Sequence, residues 1–249
     1  FALMNASTMF LASAILAASF VASGCTSLPG KPAPNSIPVQ PDDVVNFDAL
    51  YSQNCAGCHG VNGKGGLAIG LADPAYLSIA DDAVIRRLTS GGVPGTAMPG
   101  FAHSAGGLLT DAQVDAIVSG IRTRWAKQGN GSLQNPPPYA ASGAGNAAHG
   151  AEAFATYCSS CHGSGGKGSE HASGIVNPAF LALVSDQGLR TTVIAGRPEL
   201  GSPNFCGDVA GKCMTAQEVT DVVAWLASQR TEYPGQPYPN AASAGGEKK

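Results

Sequence analysis

Apolar positions recur at helical spacing in two distant stretches of this chain, at Val114, Ile117, Val118 and Ile121 and again at Val219, Val222, Val223 and Leu226. Each run follows a threonine placed to cap a helix, in Thr110-Asp111-Ala112-Gln113-Val114 and in Thr215-Ala216-Gln217-Glu218-Val219. The pattern predicts a further helix from about Asp81 to Ser90 and a counterpart from about Asp186 to Ala195. Ahead of these, Asp73-Pro74-Ala75-Tyr76-Leu77 matches Asn177-Pro178-Ala179-Phe180-Leu181. Further upstream, Leu50-Tyr51-Ser52-Gln53-Asn54-Cys55 matches Phe154-Ala155-Thr156-Tyr157-Cys158 as a short amphipathic helix. The same elements in the same order twice over predict two tandem copies of one all-α module rather than one large domain. Between the copies, Gln128 to Ala148 is rich in Gly, Asn, Ser and Pro, with Pro136-Pro137-Pro138 in its middle, and reads as a semi-rigid extended connector.

A different pattern opens the chain. Met9 to Ala22 is apolar and uncharged, of the length of a secretory core and short for a membrane span. It ends in Val21-Ala22-Ser23-Gly24-Cys25, which resembles a bacterial lipobox, so residues 1–24 are expected to be a signal peptide and Cys25 a lipidated mature N-terminus. Cleavage after a small residue with Cys25 left as a thiol is the alternative. The chain opens on Phe1 with no Lys or Arg before the apolar run, so a start and a basic segment are expected upstream. Residues 25–41 read as a tether, and Thr231 to Lys249 as a tail of little periodicity. Only 12% of residues are charged, against 33 Gly and 17 Pro, which fits short helices joined by long loops. A net charge of -3 gives no basic field for nucleic acid, so any protein partner must dock on local patches. Arg86, Arg87, Arg122, Arg124 and Lys127 make the first copy the more basic and offer such a patch, a solvated helix face being the alternative.

The chemistry lies at the end of the first helix of each copy. Cys55-Ala56-Gly57-Cys58-His59 and Cys158-Ser159-Ser160-Cys161-His162 are both C-x-x-C-H, the signature of covalent haem c attachment. Two thiols at that spacing add to the porphyrin vinyl groups, and the next imidazole becomes the proximal iron ligand. A thioredoxin-like pair or half of a zinc site would account for the thiols but not for the histidine or the second copy. Of the seven cysteines, four go to two haems and Cys25 to the lipid, which leaves Cys206 and Cys213 for a disulfide, two buried thiols being the alternative.

This order of helices, with a Gly-rich loop after each histidine, resembles the class I cytochrome c family over about Asp42 to Lys127 and about His149 to Arg230. The resemblance implies a small helical bundle around each haem and a sixth ligand presented by a loop before the last helix. In the first copy Met98, in Gly95-Thr96-Ala97-Met98-Pro99-Gly100-Phe101, matches that loop. The second copy departs from it, because Ser202 stands in the matching position. For the second iron the candidates are Met214, an open or water-bound site, or His171 or a residue outside the module; Met214 aligns with the apolar Leu109. The expected function is single-electron transfer in a bacterial periplasm by a lipid-anchored dihaem carrier without catalytic residues, between a quinol-oxidising complex or dehydrogenase and a terminal oxidase. The alternatives are the cytochrome subunit of a larger oxidoreductase, or an enzyme working at an open second haem.

Overall fold

The computed structural model describes residues 38–126, 133, 135–207, 209 and 212–231. The expected signal peptide, Cys25, Lys127 and all but the first residue of the tail lie outside them. Contacts divide the chain after Asp43. In the first unit the described residues make a 3-10 turn, Pro41–Asp43, closed by the Asp43 N–H donating to the Gln40 carbonyl at 2.9 Å. The second unit, from Val44 onward, holds both copies, with helices and no strand among its described residues.

In the first copy α1 (Phe47–Asn54) starts on Asn46, whose side chain accepts from the Ala49 N–H, and breaks at Cys55 into the single turn α2 (Ala56–His59). Helix α3 (Pro74–Ile79) starts on Asp73 with proline in its first turn, where no amide hydrogen is needed. Asp81 caps α4 (Asp82–Gly91), so this helix begins one residue later than the sequence pattern placed it. Thr110 and Gln113 close a reciprocal capping box on α5 (Asp111–Ile121), which runs on into a π-helical turn, Arg122–Ala126. The second copy repeats the series as α6 (Ala147–Tyr157), α7 (Ser159–His162), α8 (Pro178–Leu183), α9 (Asp186–Ala195) and α10 (Ala216–Ser228), the last with its own Thr215–Glu218 capping box. The tandem all-α architecture is thus the observed one.

The two apolar stripes seen in the sequence face inward, and Val114, Ile117, Val219 and Val222 are at most 1% exposed. Each such side chain contributes about 1.5–3 kcal/mol of burial. The first and last helices of each copy meet by pairing a large side chain with a glycine, in opposite senses. Gly120 of α5 receives the Phe47 ring, such that an added Cβ would lie 2.0 Å from Phe47 Cδ2. In the second copy the glycine is on the first helix, where a Cβ on Gly150 would lie 1.9 Å from the Asp221 carbonyl oxygen and 2.8 Å from Trp225 Cβ.

An arginine closes each copy. Arg122 pairs with Asp82 and donates to the carbonyls of Leu77, at 2.8 Å, and Ala80. Arg230 pairs with Asp186 and donates to Leu181 and Val184 at 3.0 and 2.8 Å. The clamp fastens the last helix to the turn between the two middle helices. Arg86 likewise pairs with Asp111 and Asp115, and Arg124 with Asp48. Arg86, Arg122 and Arg124 of the first copy are therefore each paired with carboxylates at the surface.

The two copies pack against each other. Ala195 of α9 lies in the apolar cluster of the first copy, while Ile79 packs on that of the second. The connector is held by Arg190, only 3% exposed, which donates to the carbonyls of Pro138 and Tyr139 and to the Thr220 hydroxyl. That web of acceptors solvates a buried guanidinium that has no carboxylate partner among those bonds.

Candidate functional site

The break at Cys55 puts the first motif on a separate helical turn, and the structure repeats that construction at Cys158. None of the four motif thiols is in a disulfide. Cys55 is buried and Cys58 exposed, while Cys158 and Cys161 are half-buried. Burial, with the neighbouring thiol adding to it, pushes Cys55 up to about 11 and Cys158 up to about 11, so both are protonated at neutral pH.

Each motif histidine is oriented by a backbone carbonyl from the loop that follows it. His59 Nδ1 lies 2.8 Å from the Ile69 oxygen and His162 Nδ1 3.1 Å from that of Ser173. A ring held this way keeps Nδ1–H as donor and leaves Nε2 as a lone-pair ligand, the tautomer that haem iron needs. Burial holds His59 below its ordinary value, the Ile69 carbonyl offsets part of this, and the Arg197 charge lowers it further. The neutral ligand form is thereby favoured.

The loops approach closely enough to require glycine. Gly60 and Gly163 end the motif turns with φ of 78° and 73°, and a Cβ would lie 2.0 Å from the Gly65 carbonyl oxygen and 2.2 Å from that of Gly168. The Gly65 N–H donates to the His59 carbonyl, and the Gly168 N–H to that of His162, both at 2.8 Å. Tyr51 donates its hydroxyl to the Gly60 carbonyl at 2.8 Å and so braces the first loop. The thiol pairs, oriented imidazoles and close loops fit covalent haem c. Among the described residues no cluster of three or more His, Cys, Asp or Glu side chains converges, so neither thiol pair is completed to a four-ligand protein site.

The other predicted residues fall in two places. Met98 is half-buried on the loop after α4, its N–H donating to Thr96 Oγ1 at 3.2 Å. Met214 is 4% exposed within the second apolar core, directly before α10. Cys206 and Cys213 are joined in a disulfide. His171 is exposed beside Glu170, and Cys25 lies outside the described residues. Sequence reasoning did not find the role of Arg197. Its Nη2 donates to the Gly66 carbonyl at 2.7 Å while Nε pairs with Glu199 at 2.5 Å, so the second copy grips the loop behind His59. No local pattern announces such a contact, because Gly66 is far away along the chain.

The family described as cytochrome C oxidase, cbb3-type, subunit III matches residues 42–119 and again residues 145–226, one match to each copy. Cytochrome c55X of Stutzerimonas stutzeri is similar to this chain, 43% identical over 57 residues, which are 23% of this chain and 50% of that protein. The chain spans about half the length of this curated relative.

Proposed function

We propose, from the premise that this chain belongs to the family of cytochrome C oxidase, cbb3-type, subunit III, that it is a dihaem electron carrier tethered to a membrane in a bacterial periplasm. Membership makes it an electron-transfer haem protein with covalent haem c. The number two, the compartment and the tether are our reading.

The repeated geometry of a thiol pair and a histidine held at Nδ1 by a loop carbonyl carries the two-haem reading. When bound, haem supplies a one-electron couple at iron. The chain's own part is to hold the porphyrin through Cys55, Cys58, Cys158 and Cys161, to present the Nε2 atoms of His59 and His162, and to exclude water around them. We assign Met98 as the sixth ligand of the first iron. Both Cys25 and the apolar segment before it support the tether, and among the described residues no helix is long and apolar enough to cross a membrane. Donor and acceptor would be a quinol-oxidising complex or dehydrogenase and a terminal oxidase.

A second reading has its own support in the family's description, which names an oxidase subunit. Co-purification in a fixed ratio with a catalytic partner favours that reading, and an isolated chain exchanging electrons by collision favours the carrier. Haem loading tests both. Protein matured in a host with haem c assembly should retain two haems after denaturation, and a mass corresponding to fewer would refute the dihaem reading. Cys25→Ser should release the protein from membranes or block its processing; a lipid-free N-terminus at another residue in the wild type would exclude the anchor.

A further inference from the structure

We propose that the iron of the second haem has no protein sixth ligand and, when reduced, binds a small π-acceptor diatomic such as carbon monoxide. This rests on the reading that both copies carry haem.

The loops of the two copies share one register. In the first, Gly92 ends α4, the Val93 N–H donates to the Met98 carbonyl at 3.0 Å, and the Leu109 N–H donates to that of Phe101 at 2.8 Å. In the second, Gly196 ends α9, the Arg197 N–H donates to the Ser202 carbonyl at 3.0 Å, and the Met214 N–H donates to that of Phe205 at 2.9 Å. The spacing from Gly92 to Phe101 equals that from Gly196 to Phe205. Ser202 therefore occupies the place of Met98, and Met214 the place of Leu109. A serine hydroxyl is a hard, weak donor to low-spin haem iron and does not replace a thioether.

Met214 is committed elsewhere. It is 4% exposed and Leu109 is 5% exposed, each inside the apolar core of its own copy. The Cys206–Cys213 disulfide closes the stretch immediately before Met214 and ties it to the strand of chain that follows Phe205. The backbone hydrogen bond from the Met214 N–H to Phe205 holds the residue in the register of Leu109, with its side chain among the apolar residues of the second copy.

Among the described residues, the histidines outside the two motifs and Lys212 are placed otherwise. His171 donates its backbone N–H to Ser169 Oγ, which itself donates to the Cys161 carbonyl. It therefore rides on the loop whose Ser173 carbonyl orients His162. His149 is exposed in the first turn of α6, and His103 belongs to the first copy. Lys212 Nζ lies over the Tyr157 ring, 5.3 Å from its centre. Ligand binding here forms one iron–carbon bond with no net electron transfer, the added reductant serving only to make the iron ferrous.

Carbon monoxide titration of the dithionite-reduced full-length holoprotein tests this, with haem counted on the same sample. We expect two haems and uptake of one carbon monoxide per chain. Two haems with no uptake overturn the inference while leaving the dihaem reading intact; two haems with uptake of two overturn the claimed difference between the irons. Fewer than two haems sinks the reading beneath it. Ser202→Met should abolish the uptake and add a second methionine-to-iron charge-transfer band, and uptake unchanged in that variant overturns the register assignment. Met214→Leu, which keeps the core filled, should leave both uptake and spectrum as in the wild type; a lost band or raised uptake would make Met214 a ligand and overturn the proposal.

Discussion

One backbone oxygen decides what each motif histidine offers. Because Ile69 and Ser173 engage Nδ1, the rings present Nε2 without further adjustment, and the loop glycines keep those carbonyls in place. Met98 is positioned by a smaller device. Thr96 donates its hydroxyl to the Val93 carbonyl at 2.8 Å and accepts from the Met98 N–H at 3.2 Å, so the loop is strapped around the residue that carries the sulfur. Met98→Ala should therefore convert a single haem to a high-spin or substituted-ligand form and lower its potential, since thioether ligation favours ferrous iron. An EPR spectrum in which both haems change, or neither, would withdraw Met98 as a ligand. The two C-x-x-C-H turns and the loop of Met98 could be singled out because their pattern is local in sequence. Their orienting partners are backbone atoms, which no residue type advertises, and only the clustering of glycine after each histidine hinted at them.

The crossing of first and last helices shows the same repeat solved twice with the sizes exchanged. Phe47 fills the space over Gly120 and stacks edge-on with Trp125, ring centroids 5.4 Å apart, whereas Trp225 sits against Phe154, at 4.4 Å, beside Gly150. Alanine ordinarily stabilises a helix relative to glycine by about 1 kcal/mol. Here overpacking wins, and Gly150→Ala or Gly120→Ala should each cost about 1–3 kcal/mol in chemical denaturation of the holoprotein. The cost at Gly120 should fall sharply when Phe47→Ala is added, because the clashing ring is gone; additive costs in that double-mutant cycle would show that the ring is not the cause. The sequence displayed the helices, but not that Phe47 packs over Gly120, which is a fact of tertiary packing. It also set Leu50 beside Phe154, where the structural register pairs Tyr51 with Phe154, each four residues before its cysteine. Arg122 was likewise read from charge alone as a surface group, although its planar fork reaches back to three acceptors at the far turn.

At the scale of the whole molecule, the two copies form a packed pair in which the second touches the first behind its histidine. Arg197 bridges Glu199 and the Gly66 carbonyl with its side chain only 16% exposed, and the same charge lowers His59, so it is felt at the residue we propose as the proximal ligand of the first haem. A fixed positive charge near a haem stabilises the ferrous state over the ferric, whose net charge is one unit more positive. Arg197→Gln should therefore lower the potential of the first haem and leave the second nearly unchanged in a spectroelectrochemical titration that resolves both. Arg197→Lys separates charge from shape. Lysine keeps the positive charge but loses the fork that spans Glu199 and Gly66, so the potential should stay closer to wild type while the contact between the copies loosens and cleavage of the connector by added protease speeds up. If the Gln and Lys variants shift the first haem's potential equally, the effect comes from docking geometry, and Arg197 has no direct electrostatic influence on that iron.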